Sequence, residues 1–198
     1  MEFSLGFRVL FFLLSVSAGV ISGVYRRRAR QATGTIARSQ EGSAALLGRA
    51  LMGFGLLAVI LLHGLAPHWM AWASLSVPVW VRWLGVVLGF SLLPFLVWVL
   101  RSIGANISET VLTKSEHQLV TAGPYRWIRH PLYLGGMTLI LSLGLIAGSW
   151  LMGTLWLAAT AIFRLMVIPA EERNLLAKFG PEYEAYRQRT GALLPRLG

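Results

Sequence analysis

The chain has 198 residues, of which 56% are hydrophobic and 13% charged, with a net charge of +10 and no cysteine. Soluble domains carry roughly 25% charged residues, so a water-exposed fold is excluded and the bilayer is the expected solvent. Without cysteine there is no disulfide framework, cysteine-ligated zinc or thiol nucleophile; the arginines fall in short runs between apolar stretches, which argues against a nucleic-acid partner.

A bilayer core of ~30 Å needs about 20 helical residues to span it. Residues 7–24 form the first predicted span, closed by Tyr25, Arg26, Arg27, Arg28 and Arg30. A signal peptide carries its positive charge before the apolar stretch; the order here is reversed, so the segment is predicted to be a retained span ending in the cytoplasm. Residues 31–43 are polar and predict a cytoplasmic loop. The second span covers 45–65 and is followed by Ala66-Pro67-His68-Trp69-Met70-Ala71-Trp72, whose tryptophans and lack of Lys or Arg mark an outer interface. The third, 79–100, opens with Trp80, Arg82 and Trp83 and contains Pro94, where a lost backbone bond predicts a kink.

Residues 102–130 are polar and include Glu109, Lys114, Glu116 and His117. Apolar sequence over 132–147, a turn at Gly148-Ser149 and apolar sequence over 150–168 predict an antiparallel hairpin of fourth and fifth spans. Residues 171–189 mix Leu175, Leu176, Phe179, Tyr183 and Tyr186 with charges around Gly180-Pro181, predicting two short helices against the membrane surface. The fold class is therefore an all-α integral membrane protein of about five transmembrane helices. The Lys and Arg bias sets the N-terminus outside and the C-terminus inside; Arg8 and Arg82 are exceptions near span ends, where long side chains snorkel. His63 and His68 fall near the outer face and take no role.

The chemically informative stretch is Leu119-Val120-Thr121-Ala122-Gly123-Pro124-Tyr125-Arg126-Trp127-Ile128-Arg129-His130-Pro131-Leu132-Tyr133-Leu134-Gly135. Pro131 suits the first turn of a helix, so the fourth helix is expected to start near His130, with free backbone N–H groups suited to a carboxylate or phosphate. Taken singly, Arg129, His130 and Tyr133 read as interfacial anchors. Together, they set an imidazole and a phenol on nearly one helix face.

Residues 123–135, with Glu171-Glu172 and Phe179-Gly180-x-Glu182-Tyr183-x-x-Tyr186, resemble the isoprenylcysteine carboxyl methyltransferase family, whose wider group includes phospholipid N-methyltransferases. The resemblance covers 108–195. It implies S-adenosylmethionine as cofactor, bound by His117, Gln118, Leu119, Val120, Tyr125, His130, Pro131, Leu132, Tyr133 and Glu171. It also divides the chain into a three-helix membrane region, 1–101, and a cofactor-binding catalytic region, 102–198, formed by the loop before the fourth helix, the hairpin and the cytoplasmic C-terminal helices. Adjacent helical residues point about 100° apart, so Glu172 is expected to be structural rather than to act with Glu171 as one carboxylate pair.

The family's carboxyl methyltransferases place an arginine one turn before the cofactor glutamate, where it is thought to meet the substrate carboxylate. Val167 stands at that position here and cannot pair with an anion. Arg164 shares an α-helical stripe with 167 and 171 and, as a charge within a span, is a functional candidate, with snorkelling as the competing reading. The expected catalytic residues are Arg164, His130 and Tyr133. The spans and the Lys and Arg bias predict a multi-pass protein of a bacterial or archaeal inner membrane with the resembling segment at the cytoplasmic face, and the resemblance implies a lipophilic or membrane-delivered methyl acceptor. No metal-ligand cluster is visible, and methyl transfer requires none. The alternatives are an N-, S- or O-methyltransferase of the same fold, an NADPH-dependent sterol-type reductase, or a non-enzymatic membrane scaffold; oligomeric state is open.

Overall fold

The computed structural model describes residues 3–33, 43–106 and 119–196. Regular structure among these residues is helical, with two isolated β-bridges and no strands. The helices are α1 (Leu5–Thr33), α2 (Ser43–Leu65), α3 (Val79–Ile103), α4 (Pro131–Ala147), α5 (Trp150–Ile162), α6 (Ile168–Phe179) and α7 (Pro181–Arg189). Short 3-10 turns cover Pro67–Ala73, Gly104–Asn106 and Gly123–Arg126, and a π-helical turn, Phe163–Val167, joins α5 to α6.

Leu5–Ala32, Val79–Ile103 and Trp150–Phe179 are each long and apolar enough to cross a membrane. Met52–Leu65 and Pro67–Ala73 add a fourth candidate if their 111° bend lies within one span. These lengths and compositions make the chain an integral membrane protein. At 17 residues, α4 is shorter than the ~20 a straight crossing requires. Two boundaries differ from expectation. α1 continues through its arginine run to Thr33, because Arg is a good helix former. The helical run expected to stop near 168 instead continues from α5 through the π turn into α6 and ends at Phe179. α3 stays helical through Pro94 to Ile103.

Contacts divide the chain into two units. The first comprises 1–19, 37–93 and 137–158. Its core joins Phe11 and Leu14 of α1, Val86 of α3, Leu143, Ile146 and Ala147 of α4, and Met152 of α5. Gly85 lets α3 approach α4: a Cβ there would stand 2.8 Å from the Ser142 carbonyl oxygen and from Leu145 Cβ. Such small-residue contacts are how helices pack closely in lipid. Arg82, expected to snorkel, is instead 2% exposed. Its Nη1 donates to the Ile146 carbonyl at 2.6 Å, and the Phe3 and Phe7 rings lie 5.8 and 5.9 Å from its guanidinium. The free carbonyls of the last turn of α4 give the buried cation an acceptor.

The second unit comprises 20–36, 94–136 and 159–198. Leu175, Tyr183 and Tyr186 form its buried cluster, with Leu119 and Phe179 packed against it. The helix pair expected over 171–189 is present as α6 and α7. Gly180, at φ +50°, ends α6 with its amide on the Leu176 carbonyl at 2.8 Å, and Pro181 opens α7. A positive φ at that joint suits glycine alone among common residues.

Candidate active site

The site lies wholly within the second unit and begins at the Gly123–Arg126 turn, which buries Tyr125. Tyr186 of α7 fixes that turn by donating its hydroxyl to the Tyr125 carbonyl at 2.6 Å. Trp127 follows, edge-on to Trp98 with centroids 5.7 Å apart and with the Arg126 guanidinium 3.8 Å above its ring. Residues 127–130 then run beside the C-terminal segment. Gly191 N donates to Trp127 O at 3.3 Å, Arg129 N to Gly191 O at 2.9 Å, and His130 N to Ala192 O at 3.0 Å. The amides expected to be free at the start of α4 are thus partly taken, because the tail supplies carbonyls that an isolated helix end would lack.

Pro131 opens α4 as expected and is fully buried. The His130 and Tyr133 rings stack, with centroids 5.4 Å apart and planes 7° from parallel, and the Phe163 ring lies 4.7 Å from Tyr133. Against this aromatic row, α6 sets two carboxylates. Glu171 Oε2 accepts from the Tyr133 hydroxyl at 2.7 Å and lies 3.5 Å from His130 Nδ1. Glu172 Oε1 lies 3.2 Å from His130 Nε2 and 2.7 Å from Arg129 Nε. Arg129 also donates from Nη1 to the carbonyls of Arg187, at 3.1 Å, and Thr190. Glu171 and Glu172 diverge along α6, as adjacent helical residues do, and the His130 ring between them faces one carboxylate with each nitrogen.

Electrostatics follow from this packing. Burial by itself would lower the His130 pKa, but the hydrogen bonds and charges of Glu171 and Glu172 outweigh it and raise the group above its ordinary 6.5. Burial, then the charge of Glu171, pushes the Tyr125 phenol well above its usual range. Burial also lifts Tyr183, and it pushes Tyr186 up to about 12, against the lowering pull of Arg129 and Arg189. Both Tyr125 and Tyr186 therefore stay protonated at any ordinary pH.

Of the residues implicated from sequence, Tyr125, His130, Pro131, Tyr133 and Glu171 come together here, with Leu132 half-buried on the first turn of α4. Leu119 packs on the Leu175–Tyr183–Tyr186 cluster and Val120 is half-buried beside it. His117 and Gln118 lie outside the described residues. Arg164 is exposed within the π turn, while Phe163 is the residue that meets Tyr133. Sequence reasoning read Arg129 as an interfacial anchor and Glu172 as structural, and passed over the tail segment ending in Ala192. Arg129 stood next to a singled-out histidine, but nothing local signalled that the tail would return to it. An open cleft of about 420 Å³ borders the site between Arg129, Glu172, Glu184, Arg187, Thr190 and Arg196. Among the described residues no group of histidines and carboxylates is arranged to hold a metal ion.

Residues 83–177 match the model of the isoprenylcysteine carboxyl methyltransferase (ICMT) family. The chain is similar to the cobalt-zinc-cadmium resistance protein CzcN of Cupriavidus metallidurans, 39% identical over 84 residues that cover 42% of this chain and 38% of that protein. It is similar to methanethiol S-methyltransferase 1 of Bradyrhizobium diazoefficiens, 37% identical over 71 residues covering 36% and 24% respectively. It is also similar to the protein-S-isoprenylcysteine O-methyltransferase of Schizosaccharomyces pombe, 32% identical over 96 residues covering 48% and 41%. In each case the matched segment spans less than half of the relative's length. Among solved structures, the eukaryotic intramembrane Ras methyltransferase ICMT aligns at 27% identity over 82% of this chain and 55% of that one, with a TM-score of 0.44.

Proposed function

We propose that the chain, whose residues 83–177 match the model of the isoprenylcysteine carboxyl methyltransferase family, is an integral membrane methyltransferase that uses S-adenosylmethionine and acts on a lipophilic or membrane-delivered acceptor. The observation that carries this reading is the setting of Glu171. Its Oε2 is fixed by the Tyr133 hydroxyl and faces His130, whereas its Oε1 accepts no hydrogen bond among the described residues. A half-buried carboxylate held on one oxygen and open on the other fits a ligand rich in donors, as the ribose hydroxyls and methionine ammonium of S-adenosylmethionine are. When bound, that cofactor supplies an activated methyl group on its sulfonium. Tyr125, His130, Pro131, Leu132, Tyr133, Leu119 and Val120 line the same region, and His117 and Gln118 immediately precede it in the chain.

The rest of the work is positioning and exclusion of water. Glu171 would orient the cofactor's donors, and the Tyr133 and Phe163 rings, tilted against each other with His130 stacked on Tyr133, would shield the reacting centre from water. A carboxylate acceptor needs no base, whereas a thiol or ammonium must first lose a proton. Val167, half-buried one turn before Glu171, offers no cation to a carboxylate acceptor. That favours an acceptor that enters uncharged, such as a thiol that gives up its proton on reaction, as the second reading; S-methylation is the chemistry named for the methanethiol-methylating relative. Arg164, exposed within the Trp150–Phe179 candidate span, is assigned to the acceptor side. We place the site at the cytoplasmic face of a five-span arrangement, on the Lys and Arg bias, with the acceptor arriving laterally through the bilayer.

Isothermal titration of the detergent-purified protein with S-adenosylhomocysteine tests the cofactor assignment. Saturable binding is expected, weakened in Glu171→Gln and in His130→Ala. A folded wild type that binds none refutes the methyltransferase reading.

A further inference from the structure

The inference concerns residues beyond those assigned to the cofactor, and it rests on the reading of Glu171 as a cofactor ligand. We propose that Arg129 and Glu172 are positioning residues that lock the His130 ring against Glu171 and tie the C-terminal segment, Arg187 to Ala192, to the cofactor site. The side chains run in one line of alternating charge: Arg129, Glu172, His130, Glu171, ending on the Tyr133 hydroxyl. Its contacts are Arg129 Nε to Glu172 Oε1 at 2.7 Å, Glu172 Oε1 to His130 Nε2 at 3.2 Å, His130 Nδ1 to Glu171 Oε2 at 3.5 Å, and Tyr133 to Glu171 Oε2 at 2.7 Å.

Three features make this more than a surface ion pair. The His130 side chain is 4% exposed and those of Arg129 and Glu172 are 11% and 15% exposed, so solvent screens the line weakly. A neutral imidazole has one donor nitrogen and one acceptor nitrogen. His130 faces a carboxylate with each of them and satisfies both only as the imidazolium, which removes it from the set of general bases. Among the described residues, Tyr133 stacks on the ring, the Ala192 carbonyl takes its backbone amide, Tyr183 of α7 lies near Glu172, Arg129 is itself engaged by Glu172, and Arg26 of α1 is the other cation close enough to act on this cluster, through Tyr133. Arg129 meanwhile donates to the Arg187 and Thr190 carbonyls, and its backbone amide bonds the Gly191 carbonyl. Displacing the tail therefore releases Arg129, frees Glu172 to swing, and unlocks the ring that backs Glu171.

The test reads the ring directly and then the cofactor site. In ¹⁵N-histidine NMR of the apo protein, with the His130 signal assigned by its loss in His130→Gln, the ring should carry the imidazolium signature at pH 7.5. Glu172→Gln should convert it to a neutral tautomer at that pH. Arg129→Lys, which keeps the charge but loses the guanidinium fork, should shift it in the same direction by less. S-Adenosylhomocysteine binding by Glu172→Gln should weaken about tenfold at pH 8, the effect of one pKa unit of lost interaction, and recover at pH 6. A purely packing role for Glu172 would lower stability but leave the His130 signature and the pH profile unmoved. A neutral His130 in the wild type at pH 7.5, or an imidazolium that persists in Glu172→Gln, overturns the proposal. Failure of the wild type to bind S-adenosylhomocysteine would instead remove the cofactor reading on which the inference rests, whereas the apo NMR measurement judges the lock by itself.

Discussion

Tyr186→Phe removes one atom and tests whether α7 supports the site. The Tyr186 hydroxyl is buried and donates to the Tyr125 carbonyl at 2.6 Å, on the turn that carries Tyr125 toward Glu171. Phenylalanine keeps the ring and its packing on Tyr183, whose centroid is 6.1 Å away. The variant loses the hydrogen bond and leaves a carbonyl inside the protein without its donor. A net bond contributes about 1 kcal/mol, and a desolvated, unsatisfied partner raises the loss to about 2 kcal/mol. For a chain of this length that corresponds to a fall in Tm of roughly 4–8 °C. Because burial pushes the Tyr186 pKa up to about 12, the hydroxyl remains a donor across the accessible range and the Tm difference should be the same at pH 6 and pH 8. Thermal unfolding followed by tryptophan fluorescence in detergent reads the shift, and S-adenosylhomocysteine titration reads the slackened Tyr125 turn as weaker binding. A Tm within about 1 °C of wild type, at or below what even a weak net hydrogen bond would give, would refute the assignment of Tyr186 as the anchor.

A double-mutant cycle of Arg129→Gln and Glu172→Gln should give a coupling of about 1.5–3 kcal/mol, the range for a hydrogen bond between charged partners; additive Tm losses would deny that the 2.7 Å contact contributes. His130 has a folded-state pKa above its ordinary 6.5, so its stabilisation should be complete below that value and lost as pH rises through the raised folded value. Wild-type Tm should accordingly fall across that window, and His130→Gln should flatten the dependence. Arg164→Ala should slow methyl transfer while leaving the S-adenosylhomocysteine Kd unchanged; weakened cofactor binding would place Arg164 on the wrong side of the site.

What the sequence made legible is what local rules govern. Apolar runs located α2 to within two residues at its start, Pro131 marked the beginning of α4, and Gly180-Pro181 marked the joint between α6 and α7. Each of these follows from hydropathy, a proline without an N–H, or a glycine at positive φ. The tail was illegible for the opposite reason. Residues 127–130 meet 191–192 through backbone groups, and backbone groups carry no residue code.

The π turn is the case where a local rule misled. Counting in α-helical steps puts Arg164, seven residues before Glu171, on the same face, since seven residues make close to two turns. A π turn accommodates the equivalent of one extra residue, roughly 100° of helical rotation, without advancing the phase. Across Phe163–Val167, eight residues therefore do the work of seven. The residue brought into line with Glu171 becomes Phe163, whose ring packs 4.7 Å from the Tyr133 ring that bonds Glu171. Arg164 is turned away from that ring and is exposed, on the side assigned to the acceptor. The same insertion accounts for the unbroken run from Trp150 to Phe179, where a stop near 168 was expected. A helix that must show an aromatic ring to the site and a cation to its surroundings at neighbouring positions gets both from one wide turn, so the π turn itself sets which chemistry faces Tyr133.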